Sequence, residues 1–256
     1  MRIPSKVILV LLAALFAGSY ARAQAVNVAA AADLKFAMAE LVAQFEKASG
    51  AKLDVTYGSS GNFLTQIENG APFDLFFSAD SEYPKKLEAA GLAEPGTLRE
   101  YAVGRIVIWT PSDNEINAAI DGWKRLLAQR VKKIAIANPE HAPYGRAAVA
   151  AIKKAGIYEQ VKDKLIYGEN ISQAAEFVQS GNAQAGIVAL SLALSPAMKN
   201  GNRWEIPADS YPPIKQAVIV LKASKNKDAS RRFLEFVGGP QGREILQRFG
   251  FSVPTP

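Results

Sequence analysis

The sequence predicts an α/β protein made of two successive groups of strands and helices, and three observations carry that expectation. Apolar residues switch repeatedly between the short runs of buried strands and the 3.6-residue spacing of amphipathic helices. The order β-α-β-α occurs twice, as in mostly parallel sheets with helices on both faces. For 256 residues, two groups of about a hundred residues suit the length better than one oversized sheet.

In order, "VNVAAAA" (Val26 to Ala32) reads as a strand, and a helix follows with Leu34, Met38, Leu41, Val42 and Phe45 on one face. Gly50 marks its end. "LDVTY" alternates as a strand, "GSSG" is a loop, and a short helix then turns Phe63 and Ile67 inward. "FDLFFSA" is a buried strand, "SEYPKKLEAAG" a helix closing on Gly91, and "GRIVIW" a further strand. The second group begins with helix "GWKRLLAQ" and strand "KIAIAN". After "PEHAPYG" an alanine-rich helix runs to Gly156, and another covers Tyr158 to Leu165. Strand "LIYG", helix "SQAAEFVQSG" and strand "AGIVAL" follow. "SYPPIKQAVIVLK" reads as a returning strand, and the last helices carry Phe233, Phe236, Val237, Ile245, Leu246 and Phe249 as an apolar stripe.

The first residues bear on compartment. A charged start (Arg2, Lys6), the apolar "VILVLLAALFAG" and the small residues of "ARA" read as a secretory signal peptide over residues 1–23, with cleavage after Ala25 as the second choice. Such a segment is too short to span a bilayer. Removing its three basic residues, Arg2, Lys6 and Arg22, leaves +3 of the formal +6 charge. The remaining basic residues are scattered among acids, a solvated mixed surface rather than a nucleic-acid patch. With no cysteine, disulfides and thiolate chemistry are excluded, so the exported chain stands on its core.

In such sheets ligands sit beyond the carboxyl ends of strands, where helix N-termini converge. The loops there carry Asp33, Ser59 and Ser60, Tyr144 and Gly145, and Asn170, Ile171 and Ser172. First-turn N–H groups lack intrahelical acceptors and the helix dipole favours negative charge beside them. Ser60 adds a hydroxyl, while Gly58 and Gly61 let backbone approach closely. Any one of these loops is equally an ordinary N-cap. Several from both groups, facing one cleft, would hold a small oxyanion with neutral donors.

The stretches "VAAAADLKFAMAEL", "GSSGNFLTQIENGAPFDLFFSAD", "NPEHAPYG", "GNAQAGIVAL" and "GPQGREILQRFGF" resemble the periplasmic molybdate-binding proteins of ABC importers, in order and over essentially the whole mature chain. The resemblance implies a bilobed periplasmic-binding-protein fold (type II): two parallel-rich sheets flanked by helices and joined by two hinge strands. It places residues 24–104 and 217–256 in lobe 1 and residues 105–216 in lobe 2, with crossings near Val103 to Ile106 and Lys215 to Val218. It further implies capture of molybdate, or tungstate, as cargo rather than cofactor. The partners implied are a membrane permease and its cytoplasmic ATPase, with the protein itself periplasmic and monomeric.

Carried over by position, the oxyanion ligands fall on Ser60 (hydroxyl), Tyr144 (N–H or hydroxyl), Ile171 (N–H), Asp33 in place of a hydroxyl residue, and Ala189 in place of a tyrosine. None is a direct metal ligand. Asp33 is the sharpest departure, since a carboxylate at ~4 Å from each anion charge costs roughly 4 kcal/mol at an effective dielectric near 20. Three solutions are open: Asp33 turns away as an N-cap, it shares a proton with the ligand, or the ligand brings a cation. The second would favour protonated oxyanions such as phosphate or arsenate.

Other functions fit less well. His141 is the single histidine, "GSSG" is not the G-x-S-x-G elbow, and no His/Asp/Glu spacing suggests a catalytic metal. A serine hydrolase is therefore disfavoured. A ferric-ion binder would need a tyrosine cluster, for which Tyr57, Tyr144, Tyr167 and Tyr211 are the candidates. Tyr57 and Tyr167, however, read as packed strand residues. Trp109, Trp123 and Trp204 read as packing rather than a sugar platform.

Overall fold

The computed structural model describes residues 25–112 and 122–254; the leader expected at 1–23 lies outside them. Among the described residues ten strands form two five-stranded sheets. The first is ordered β2-β1-β3-β10-β4 and comprises β1 (Val26–Ala31), β2 (Leu53–Gly58), β3 (Leu75–Ser78), β4 (Arg99–Gly104) and β10 (Ile214–Val220). The second is ordered β7-β6-β8-β5-β9 and comprises β5 (Ile106–Thr110), β6 (Ile134–Ala137), β7 (Leu165–Gly168), β8 (Ala185–Ala189) and β9 (Asn202–Glu205). Only Arg105 separates β4 in one sheet from β5 in the other.

Both sheets are mixed, which refines the mostly parallel expectation. β1 runs parallel to β2 and β3, and β6 parallel to β7 and β8. β10 runs antiparallel to β3 and β4, and β5 antiparallel to β8 and β9. The parallel halves are the strands joined through crossover helices, the part that β-α-β periodicity reports. The antiparallel halves contain the strands beside the crossings between sheets. Strand β4, strand β9 and the short helix after β8 have no counterpart in the sequence reading.

Ten helices cover the sheets: α1 (Lys35–Ser49), α2 (Ser60–Glu68), α3 (Glu82–Ala89), α4 (Trp123–Leu127), α5 (Pro143–Lys154), α6 (Tyr158–Val161), α7 (Ile171–Gln179), α8 (Leu190–Ala193), α9 (Lys227–Gly238) and α10 (Pro240–Arg248), counted among the described residues. Their ends follow local chemistry. Gly50 terminates α1 in the left-handed region, φ 70°, returning its N–H to Glu46. Pro143 opens α5 at a position where no N–H is needed. Asn170 caps α7 by accepting from the amides of Ser172 and Gln173 at 3.0 and 3.1 Å.

Alternation along the strands splits the first sheet's core in two. Val28, Ala30, Leu75, Phe77, Val218 and Val220 face α1, α9 and α10; Ala29, Phe76 and Ile219 face α2 and α3. Phe233 of α9 anchors the larger cluster. It is fully buried, its ring 5.1 Å from that of Phe45 and 5.8 Å from that of Phe77, both edge-on, the favourable orientation for aromatic pairs. The second sheet is wrapped by α5, α7 and α8 around Ile108, Ile134, Ile136 and Ile187. Phe233→Ala is expected to cost about 3–5 kcal/mol, measured as a lower urea midpoint at unchanged slope.

Candidate functional site

Helices α2, α5 and α7 begin at one place, the junction of the two sheets. Asp33, Ser60, Tyr144 and Ile171 line one small cavity there, together with Ser59 and Asn170. It leaves about 10 Å³ for the centre of a water-sized sphere, close to the least that holds one water molecule. A larger groove of about 350 Å³ shares Ala79 and Pro143 with it but carries Asp80, Glu82, Arg146 and Lys215, with Arg146 ion-paired to Asp80. Of the expected residues, only Ala189 stands apart. As the last residue of β8 it pairs with Ile106 and is fully buried, outside the cavity lining, unlike the place the resemblance implies for it.

Besides Asp33 and several small apolar residues, the cavity is lined by residues at three helix starts. Ser60 and Ile171 open α2 and α7, and Tyr144 is the second residue of α5, so their amides belong to first turns without intrahelical acceptors. The Ser60 hydroxyl accepts from the Ala79 amide at 2.9 Å, which leaves its own O–H for a further acceptor. Ser59 is the cap of α2, accepting from the Asn62 amide at 3.4 Å.

Asp33 does not cap a helix. It lies inside a 3-10 turn, Ala32–Leu34, preceded by Ala31, and no side-chain cap bond forms there. Its carboxyl is instead buried at the sheet junction, 1% exposed, where Oδ2 accepts from the Tyr144 hydroxyl at 2.9 Å and from Gln216 Nε2 at 2.6 Å. Gln216 also donates to the Tyr144 oxygen at 3.0 Å, and its Oε1 accepts from the Tyr101 hydroxyl at 2.6 Å. Asp33 Oδ1 has no hydrogen-bond partner. Burial pushes this carboxyl up to about 6, against the opposing pull of the Gln216 and Tyr144 hydrogen bonds.

Two backbone features make room for this network. A β-bulge leaves Tyr101 unpaired, since Gln216 faces Ala102 and Ala217 faces Glu100. The bulge swings the Tyr101 hydroxyl toward Gln216. At Gly104, a Cβ would stand 2.1 Å from the Tyr144 oxygen and 2.9 Å from Gln216 Nε2, so only glycine fits while Tyr144 is docked.

The two halves are clasped around the cavity. Ser172 donates to the Ala32 carbonyl at 2.9 Å and Ser191 to the Asp33 carbonyl at 2.7 Å. The Gly61 amide donates to the His141 carbonyl at 2.9 Å, and His141 Nδ1 lies 2.9 Å from the Ser59 oxygen. Arg146 Nη1 donates to the Tyr83 hydroxyl at 2.9 Å. His141 is thus a rim contact, its Nε2 3.5 Å from Glu169. Of the four candidate iron tyrosines only Tyr144 lines the cavity; Tyr211 accepts from the Ile106 amide and Tyr167 is 49% exposed. Among the described residues no three His, Asp or Glu side chains are placed to hold a metal ion, and no helix is long and apolar enough to cross a membrane.

Gln216, Tyr101 and Gly104 were not anticipated from the sequence. Gln216 interrupts the apolar run "IKQAVIV", and an amide in a buried strand is the signal that could have marked it.

The profile of the bacterial extracellular solute-binding protein family matches residues 26–252. The chain is similar to the molybdate-binding protein ModA of Azotobacter vinelandii, 38% identical over 91% of this chain and 92% of that protein. It is likewise similar to ModA of Rhodobacter capsulatus, 38% identical over 90% and 89%. The structure of a periplasmic molybdate-binding protein from Azotobacter vinelandii superposes with a TM-score of 0.85 at 32% identity, covering 90% of this chain and all of that one.

The raised Asp33 value has a direct consequence for stability. Because the folded carboxyl holds its proton more tightly than the unfolded one, its contribution is complete below the unfolded value of 3.8 and is lost as the pH passes about 6. Across that window wild type is expected to lose about 3 kcal/mol relative to Asp33→Asn, measured by urea unfolding of both proteins at a series of pH values.

Proposed function

The chain belongs to the family of bacterial extracellular solute-binding proteins, and on that premise we propose that it captures molybdate and delivers it to an ABC importer. The observation that carries this reading is the convergence of three helix starts from both halves of the molecule on one small cavity whose donors are uncharged. The named relatives are molybdate-binding proteins over nine-tenths of their length. The role is reception of a cargo, not catalysis, and no cofactor enters it. Tungstate, of the same shape and charge, is the second cargo we propose.

In this reading Ser60 donates its hydroxyl to one oxygen of the anion, and the amides of Tyr144 and Ile171 donate to others. The anion binds the closed form better because donors reach it from both halves, and that difference in affinity draws the open form shut. Lobe 1 is taken as residues 24–104 and 217–256 and lobe 2 as residues 105–216, with bending at the β4–β5 joint and at the start of β10. The protein works outside the cytoplasm as a monomer, after removal of its leader at residue 23 or 25, and docks closed on the permease.

Calorimetric titration with molybdate, tungstate, sulfate, phosphate and arsenate near pH 6 tests this. Molybdate and tungstate are expected to bind, and Ser60→Ala to weaken them about ten- to a hundredfold, the worth of a hydrogen bond to a charged group. Binding of ferric ion or phosphate alone would sink the proposal. Gly104→Ala, whose methyl group collides with the docked Tyr144 hydroxyl, is expected to weaken molybdate binding at least tenfold while the far-UV circular dichroism stays that of wild type.

A further inference from the structure

Asp33 is a carboxyl group on the wall of an anion site, and its two oxygens are treated differently. Oδ2 is saturated by two donors, the Tyr144 hydroxyl and the Gln216 amide. Oδ1 is buried and makes no hydrogen bond. With Oδ2 occupied as an acceptor, Oδ1 is the oxygen left to carry a proton.

We propose that Asp33 enters the anion complex as a carboxylic acid, its Oδ1 proton donated to an oxygen of the bound dianion, so that each capture takes up one proton from solvent. This rests on the oxyanion reading given above. A carboxylate against a dianion in a closed cavity is repelled by it, whereas a carboxylic acid supplies the donor that a hydroxyl side chain would otherwise supply. The proton moves from water or buffer to Oδ1, and no other bond changes.

Among the described residues no positive charge is placed to neutralise Asp33, although the main-chain amides of Asp33 and Leu34 also pull its pKa down. From β4 and α5 it is faced by the phenols of Tyr101 and Tyr144, both kept neutral by burial. Strand β10 presents the uncharged Gln216, α8 the hydroxyl of Ser191, and α7 the hydroxyl of Ser172, the last two reaching main-chain carbonyls of the same turn. On α1 the neighbouring Lys35 turns outward to the exposed Glu176 of α7, 3.6 Å away. Tyr211, before β10, meets the Ile106 amide. At the rim, His141 and Glu169 pair with each other at 3.5 Å. The burial that already raises Asp33 without a ligand acts in the same direction as an arriving negative charge.

The test is calorimetric titration of the purified protein with molybdate between about pH 6 and pH 9, at each pH in buffers of different ionisation enthalpy. The expected result is uptake of close to one proton per anion at about pH 7.5, with Kd rising about tenfold per pH unit above about pH 7. Asp33→Asn, which offers an amide donor at all pH values, is expected to bind with no proton uptake and a flat profile; Asp33→Ser serves the same purpose should the asparagine variant not fold. A wild-type Kd independent of pH with no buffer-dependent heat would overturn the inference while leaving molybdate capture intact. Persistence of proton uptake in either variant would overturn it too, placing the proton elsewhere, with His141 the next group to examine. Absence of molybdate and tungstate heat at every pH would bring down both readings together.

Discussion

A carboxyl group shut away from water with no cation beside it is the constraint that organises the centre of this molecule. Burying such a group is costly unless its oxygens find donors. Here the donors come from a helix of one half and a strand of the other sheet, Tyr144 of α5 and Gln216 of β10. Gln216 is held in turn by Tyr101, which reaches it because the β4 backbone bulges at that residue. The side chain that Gly104 lacks is the space Tyr144 fills. Site, sheet junction and backbone irregularity are therefore one structure, and a change in any part is felt by the others.

The same economy holds for the rest of the cavity. Helix starts provide hydrogens that the helices themselves cannot use, and short side chains trim the approach. The hydroxyl of Ser60 is oriented by the Ala79 amide it accepts from, so its polarity toward the cavity is set before any ligand arrives. Preorganisation of this kind avoids the cost of turning dipoles during binding. Contacts that close the halves, Ser172 to Ala32, Ser191 to Asp33 and Gly61 to His141, use the same loops that carry the donors. The contacts between the halves and the candidate donors thus share loops.

Much of this was legible in the sequence, for physical reasons that also mark the limit. Strands β1, β3 and β6 are mostly apolar and buried, and their parallel pairing follows from the crossovers. Ser60, Tyr144 and Ile171 were visible because helix starts after strands are where such sheets offer donors. For Asp33 the sequence left three roles open, a cap among them; the structure shows no cap, and nothing nearby in sequence reveals Gln216, 183 residues away. Strand β4 was missed because "REYAVG" exposes its first two residues and bulges at the third, which blurs the period-2 signal. Ala189, expected from the resemblance alone, is paired by its backbone into β8 and lies outside the cavity lining.

The route of the chain through the sheets has a temporal meaning. Strands β5 to β9 follow one another without interruption, so the second sheet is complete once residue 205 is available. The first sheet must wait, because β10 is the strand seated between β3 and β4. Until residues 214–220 emerge, those two strands have no common neighbour and Asp33 has no Gln216. A chain made from its N-terminus consequently completes the support of Asp33 last, after every residue that lines the cavity.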